Sequence, residues 1–238
     1  MSLFVFCQEA RCASQEKALK FIQIHYFFGP TVVTIAKHAI RMDNIGRLKF
    51  SLVSKAPDWI ITVFRDDDKT YFSESFKQLD DTGLVADFII GRRDRYFPKT
   101  EKFRKSTISI FGFQADKYES SSTTFVCVPM SQVFNADQKI EDILQATYKL
   151  STCGAIPLQN TGTRGPKNIL ETVSAEGSRE TYLSTNKVIP VQVSSDIFDP
   201  PKGFKKAKSV REVVAGTNSR TKSRDVMDLF TPEEEQSK

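Results

Sequence analysis

The chain has 238 residues, 39% of them hydrophobic and 26% charged, with a formal net charge of +5. That length allows one large domain or two small ones, with a core that needs no disulfide staples. The charge fits a mild preference for anionic partners and does not argue for nucleic-acid binding. No stretch approaches the ~18 apolar residues of a membrane span.

The start, Met1-Ser2-Leu3-Phe4-Val5-Phe6-Cys7, carries an apolar run too short for a signal-peptide core, with no basic residue before it. Arg11-Cys12-Ala13-Ser14 has the small-residue character of a leader's end. Residues 1–20 are therefore read as an N-terminal segment with two readings, an incomplete leader or an ordinary cytoplasmic start. Gln15 to Ile22 reads as a short amphipathic helix or as the entry to a strand. Phe21 to Phe28 is rich in strand formers and stops at Gly29-Pro30. Strand patterns follow at Thr31 to Ala36, His38 to Asp43, Gly46 to Val53, Trp59 to Phe64 and Lys69 to Phe72. Turn signals every eight to twelve positions favour an antiparallel meander.

The middle is less regular, with a helical turn expected between Ser73 and Ile90. Gly91 to Lys105 is strongly basic: Arg92, Arg93, Arg95, Lys99, Lys102, Arg104 and Lys105 face only Asp94 and Glu101, interleaved with Tyr96, Phe97 and Phe103. Strands resume at Thr107 to Ala115, Lys117 to Glu119 and Thr123 to Val128. The clearest helix is Asp137 to Leu150. Its Ile140, Ile143, Leu144, Thr147 and Tyr148 share one face, and Asn135 with Gln138 has the spacing of a capping box. Strands are expected at Ala155 to Gln159, Asn168 to Ala175 and Glu180 to Val193. A last helix over Ser209 to Val214 has Ser209 as its N-cap and Glu212 three residues on. Residues 21–215 thus form a single β-rich domain, and 216–238 a polar tail.

The motifs of common chemistries are missing. No G-x-S-x-G elbow, phosphate loop or dinucleotide fingerprint occurs, so no cofactor is expected. The four cysteines, Cys7, Cys12, Cys127 and Cys153, include no C-x-x-C pair, and His25 and His38 flank none of them. That spacing gives no metal site. Cys127 reads as a small core residue, and its pairing with Cys153 in an oxidising compartment stays open. Asp66-Asp67-Asp68 reads as a solvated hairpin turn. His25 and His38 read as strand residues rather than catalytic bases. An enzyme would require two of Asp43, Asp58, Glu74 and Asp116 to converge in a cleft; the preferred reading is non-enzymatic.

Several segments together resemble a known group. They are Ala56-Pro57-Asp58-Trp59, Lys69-Thr70-Tyr71, the Gly-x-x-Ala segment Gly112-Phe113-Gln114-Ala115, and Phe198-Asp199-Pro200-Pro201-Lys202-Gly203-Phe204-Lys205. The pattern, over Phe21 to Val214, resembles half-barrel β proteins related to the periplasmic lipoprotein carriers and their uncharacterised exported relatives. The resemblance implies an α+β, mainly β fold: a curved antiparallel sheet, or half-barrel, with a few helices on its concave face. It further implies an apolar cavity for a lipid or hydrophobic ligand, no catalytic residues, and a periplasmic or otherwise exported location, with a cytoplasmic one as the alternative. Trp59, Phe50, Phe64, Tyr71 and Phe113 are the candidate ligand-binding aromatics. Arg92, Arg93 and Arg95 would hold an anionic headgroup, membrane surface or protein partner at the rim. The rival reading is an interaction protein that presents this basic loop to an anionic partner.

Overall fold

A computed structural model describes residues 14–46, 48–82, 84, 102–163 and 179–216. The strands are β1 (Gln15–His25), β2 (Gly29–Ala36), β3 (Ala39–Asn44), β4 (Ser51–Lys55), β5 (Ile61–Arg65), β6 (Thr70–Glu74), β7 (Arg104–Ile110), β8 (Phe113–Glu119), β9 (Thr123–Val128), β10 (Ile156–Thr163), β11 (Arg179–Ser194) and β12 (Lys205–Lys206). Among the described residues three short helices accompany them: α1 (Phe76–Thr82), α2 (Gln138–Tyr148) and α3 (Val210–Ala215). No described helix is long and apolar enough to cross a membrane.

The strands form one sheet in the order β12-β6-β5-β4-β3-β2-β1-β11-β10-β9-β8-β7. All pairings are antiparallel except β12 with β6. The chain therefore makes two meanders, β1–β6 and β7–β11, joined where β1 pairs with β11 from Gln15↔Ser194 to His25↔Leu183. Near this seam the register shifts three times, at Ile22/Gln23, Asn160/Thr161 and Pro157/Gln159. Such irregularities bend the strand that carries them and increase its local twist.

Side-chain alternation sorts the sheet into two faces. Leu19 and Phe21 of β1, Val33 and Ile35 of β2, Ile40 and Met42 of β3, and Ile61 and Val63 of β5 enter one large core. Val126 of β9, Leu158 of β10 and Leu183 of β11 join the same cluster, as do Leu79 of α1, Ile140, Ile143 and Leu144 of α2, and Val213 of α3. The helices thus cover the face that carries Phe21. On the opposite face Ala18, Ala36 and Ala39 form a separate small cluster under Phe198.

After β11 the chain crosses that opposite face as a strap. A 3-10 turn at Ser195–Phe198 is held by Arg41, whose Nη1 donates to the Ile197 carbonyl at 3.0 Å. Lys55 pairs with Asp199. The Phe204 ring meets Phe64 edge-on at 6.0 Å. β12 then pairs with the edge of β6, and α3 turns back against β5 and β6.

Local chemistry accounts for several boundaries. Gln15 to Ile22 is strand throughout, because its alternate residues enter the core beside β11 and β2. The expected strand from Thr107 to Ala115 is instead a hairpin. Phe111 (φ 52°) and Gly112 (φ 82°) make a tight turn with both central residues left-handed, which matches the twist of the flanking β7 and β8. His38 lies in the β2–β3 turn rather than in a strand, because the Ala36↔Ala39 pairing leaves only Lys37 and His38 to make the connection. The N-cap of α2 is Asp137, whose carboxylate accepts from the Lys139 N–H; Asn135 has left-handed backbone (φ 49°) and precedes the cap. α3 starts as expected, with the Ser209 hydroxyl accepting from the Glu212 N–H and the Glu212 carboxylate accepting from the Lys208 N–H. The expected strand at Asn168 to Ala175, the N-terminal residues 1–13 and the tail beyond 216 lie outside the described residues.

Candidate functional site

The five candidate aromatics are spread over both faces. Phe50 is fully buried in the main core and meets Phe28 edge-on at 5.6 Å. Trp59 and Phe113 are half-buried and pack against the same core. Trp59 has a left-handed backbone (φ 50°), in the turn before β5. Phe64 lies on the opposite face, under Phe204 and beneath the Arg41 guanidinium at 5.6 Å. Tyr71 pairs in register with Phe64, so it shares that face. The structure thus groups Phe50, Trp59 and Phe113 with one core and Phe64 with Tyr71 beneath the strap. Arg92, Arg93 and Arg95 lie outside the described residues.

Beneath α2 the main core holds a polar network that sequence reasoning did not single out. Gln23, in β1, is buried and points to the helix side. Its Nε2 donates to the Pro157 carbonyl and to the Thr185 hydroxyl, each at 2.9 Å. Its Oε1 accepts from the Tyr148 hydroxyl at 2.7 Å. One side chain thereby ties β1, β10, β11 and α2 together. The sequence signal was its place in the inward period Phe21, Gln23, His25, where a polar residue must find partners.

His25 is the next inward residue. Its Nδ1 accepts from the Phe27 and Phe28 N–H groups at 3.3 and 3.2 Å, which leaves the proton on Nε2. Nε2 faces the Tyr148 backbone carbonyl without the geometry of a hydrogen bond. The ring stacks on Tyr148 at 4.8 Å and an interplanar angle of 12°. Burial lowers the imidazole pKa from 6.5 to about 3, against a smaller opposing pull from the Tyr148 carbonyl. The ring is thus held neutral, with its acceptor nitrogen occupied by two backbone N–H groups.

Glu141, on α2, is also buried. It accepts from the Thr152 hydroxyl and from Gln138 Nε2, the latter at 2.8 Å. Desolvation pushes its carboxyl pKa above the ordinary range, opposed in part by the Gln138 hydrogen bond. Of the carboxylates weighed for catalysis, Asp43 and Asp116 stand apart, while Glu74 lies opposite Ile61, at the end of β5 that Asp58 precedes. Asp43 on β3 is held by Arg41 and Ser51, whereas Asp116 on β8, six strands away in sheet order, pairs with Lys105 at 2.9 Å. Among the described residues no group of three His, Cys, Asp or Glu side chains is placed to hold a metal ion.

A cleft of about 590 Å³ opens at one end of the sheet, between β1, the β2–β3 turn, the end of β4 and the strap. Its walls include Lys17, Lys37, His38, Lys55, Phe134 and Phe198. The rim near the chain's first described residue is fixed by Ser14 Oγ donating to Ser195 Oγ at 3.1 Å. Lys55 is engaged by Asp199, and His38 stands 3.9 Å from Asp137. Lys17 and Lys37 have no carboxylate partner among the described residues. The lining also includes one carboxylate, Glu16, so Lys17, Lys37 and Lys55 leave it with a positive balance beside the apolar Phe134 and Phe198, which suits an anion that carries an apolar portion. No protein-family model matches the chain, and no curated protein shows significant similarity to it.

Proposed function

We propose that the chain is a non-enzymatic binding or carrier protein that takes a lipid or other hydrophobic ligand between its sheet and its helices. The observation that carries this reading is a mismatch of scale. Twelve paired strands span about 55 Å, whereas α2, with its 11 residues, is roughly 16 Å long and α1 and α3 are shorter. Yet apolar residues from β8 to β5 belong to one core. Among the described residues three small helices lie on this broad face, which a sheet curled around them would accommodate, and open sheets wider than about ten strands generally do curl. The three register shifts near the β1–β11 seam supply places to bend. On this reading the sheet is a half-barrel with its helices on the concave side, and a ligand enters by displacing part of that helical layer. Covering apolar ligand surface there contributes about 25 cal/mol per Å². Phe50, Trp59 and Phe113 are the candidate aromatics on that side. Export to the periplasm belongs to the same proposal, and cell fractionation tests it separately. The direct test is lipid extraction and mass spectrometry on gently purified protein, with a cavity-binding dye as a second readout. Protein that emerges empty and gives no dye signal overturns the carrier reading.

A second reading is favoured by the lysine cleft: an interaction protein for an anionic partner, engaged through Lys17 and Lys37. Binding to vesicles containing anionic phospholipid, compared with zwitterionic vesicles, measures it. Lys17→Glu with Lys37→Glu should weaken that binding at least about tenfold at low salt. Equal binding by wild type and variant removes this reading and leaves the carrier reading untouched.

A further inference from the structure

We propose that Cys127 and Cys153 are a reversible disulfide site, in which Cys153 is the attacking thiol and Cys127 the resolving one. The two residues meet by construction of the fold. β9 carries Cys127 into a small cluster with Phe125 and Ala155, shielded by Phe103 and Tyr118. Cys153 follows α2, in the tight turn Thr152–Ala155, closed by the Ala155 N–H donating to the Thr152 carbonyl at 2.9 Å. Cys153 (φ 55°) and Gly154 (φ 69°) are both left-handed there. That conformation is disfavoured for a residue with a β-carbon, so the surrounding packing must hold it. The turn packs Cys153 against the cluster that holds Cys127, and both thiols are reduced.

The pair is asymmetric. Cys127 is fully buried, while Cys153 is partly exposed. The neighbouring Cys127 thiol lowers the Cys153 thiol pKa, opposed by partial burial and helped by Ser151, whereas the neighbouring Cys153 and burial raise that of Cys127. The charged neighbours are Glu141 and Asp116, both of which disfavour a thiolate. Asp116 is already paired with Lys105 at 2.9 Å, and burial of Glu141 favours its protonated form. The reachable sulfur is therefore also the more readily ionised one, which is what an attacking thiol needs.

The chemistry balances with a small-molecule disulfide such as oxidised glutathione. The Cys153 thiolate attacks one sulfur of that disulfide, forming a mixed disulfide and releasing one glutathione thiolate, which takes up the Cys153 proton. Cys127, losing its proton, then attacks the Cys153 sulfur and displaces the second glutathione thiolate, which takes up that proton. Two protein thiols are oxidised and one external disulfide is reduced to two thiols.

The test uses the full chain in a Cys7→Ser, Cys12→Ser background, incubated natively with oxidised glutathione and analysed by peptide mass spectrometry. A Cys127–Cys153 cross-linked peptide that dithiothreitol removes is expected. Cys127→Ala should instead accumulate glutathione on Cys153, and Cys153→Ser should leave Cys127 unmodified. If either variant fails to fold, the parent itself still decides: iodoacetamide should label Cys153 at least about tenfold faster than Cys127. Two thiols that stay reduced, a mixed disulfide on Cys153 that never resolves, or faster labelling of Cys127 would each overturn the proposal.

Discussion

The Tyr148 hydroxyl reaches down from the last turn of α2 and donates to the Gln23 side chain at 2.7 Å, at the centre of the sheet. That bond crosses from helix to strand where β1 meets β11, and both residues are buried. Tyr148→Phe keeps the ring stacked on His25 and leaves the Gln23 oxygen without a donor. The expected loss is about 1–3 kcal/mol of stability, read from the urea midpoint.

His25 makes stability depend on pH. Its folded pKa is depressed to about 3 from 6.5. Between those values the unfolded chain binds the extra proton and the folded chain does not. The contribution is therefore complete above about pH 6.5 and is lost as pH falls toward about 3, with a slope of up to about 1.4 kcal/mol per pH unit. His25→Asn should be less stable at neutral pH but show a flatter acid limb in urea melts across that range.

Glu141 tilts the curve the other way. Its carboxyl pKa is raised by burial, so its contribution is complete below the ordinary carboxylate pKa and declines as pH rises through the folded value. Glu141→Gln should lose part of that decline, and its stability relative to wild type should improve as pH rises above the ordinary carboxylate range. Each variant is compared with wild type at every pH, because the two residues act with opposite sign.

Gly162, in β10, is a packing requirement. A β-carbon there would stand 2.9 Å from Cε2 of Tyr182, which is itself buried and edge-on to Tyr26 at 5.4 Å. Gly162→Ala should cost about 1–3 kcal/mol in thermal or urea unfolding, and Gly162→Ala with Tyr182→Leu should recover part of it.

Phe64 and Phe204 hold the strap to the sheet at 6.0 Å between ring centroids. A double-mutant cycle with Phe64→Leu and Phe204→Leu should return a coupling of about 0.5–1.5 kcal/mol. Additive losses would mean that the rings merely share a surface.

The mainly antiparallel sheet is legible from alternation and turn residues, as the β2, β3, β5 and β6 segments show. So is α2, whose apolar spacing matches its buried face, and so is α3, whose cap depends on residues three apart. What alternation cannot convey is pairing between distant segments. That β1 lies beside β11 follows from interlocking side chains such as Gln23 with Thr185, not from any local signal. The same limit applies to the lysine cleft. Lys17, Lys37 and Lys55 sit on three different segments and converge only once the β2–β3 turn and the strap are in place. The break at Phe111-Gly112 was readable in principle. A glycine inside a run of strand formers is where a reversal is cheapest, but the hydrophobic continuity of Thr107 to Ala115 concealed it.

The joining of the two meanders governs the order in which this chain can mature. β1 leaves the ribosome well before its partner β11, which pairs with it from Gln15↔Ser194 to His25↔Leu183. Each meander has local neighbours and can zip up early. Until β11 emerges, however, the flank of β1 that will face it presents unsatisfied amide groups, the kind of edge that recruits the wrong partner. A nascent chain halted before Arg179 would keep that flank open, so misassembly at this edge is most favoured in the interval between the synthesis of β1 and that of β11.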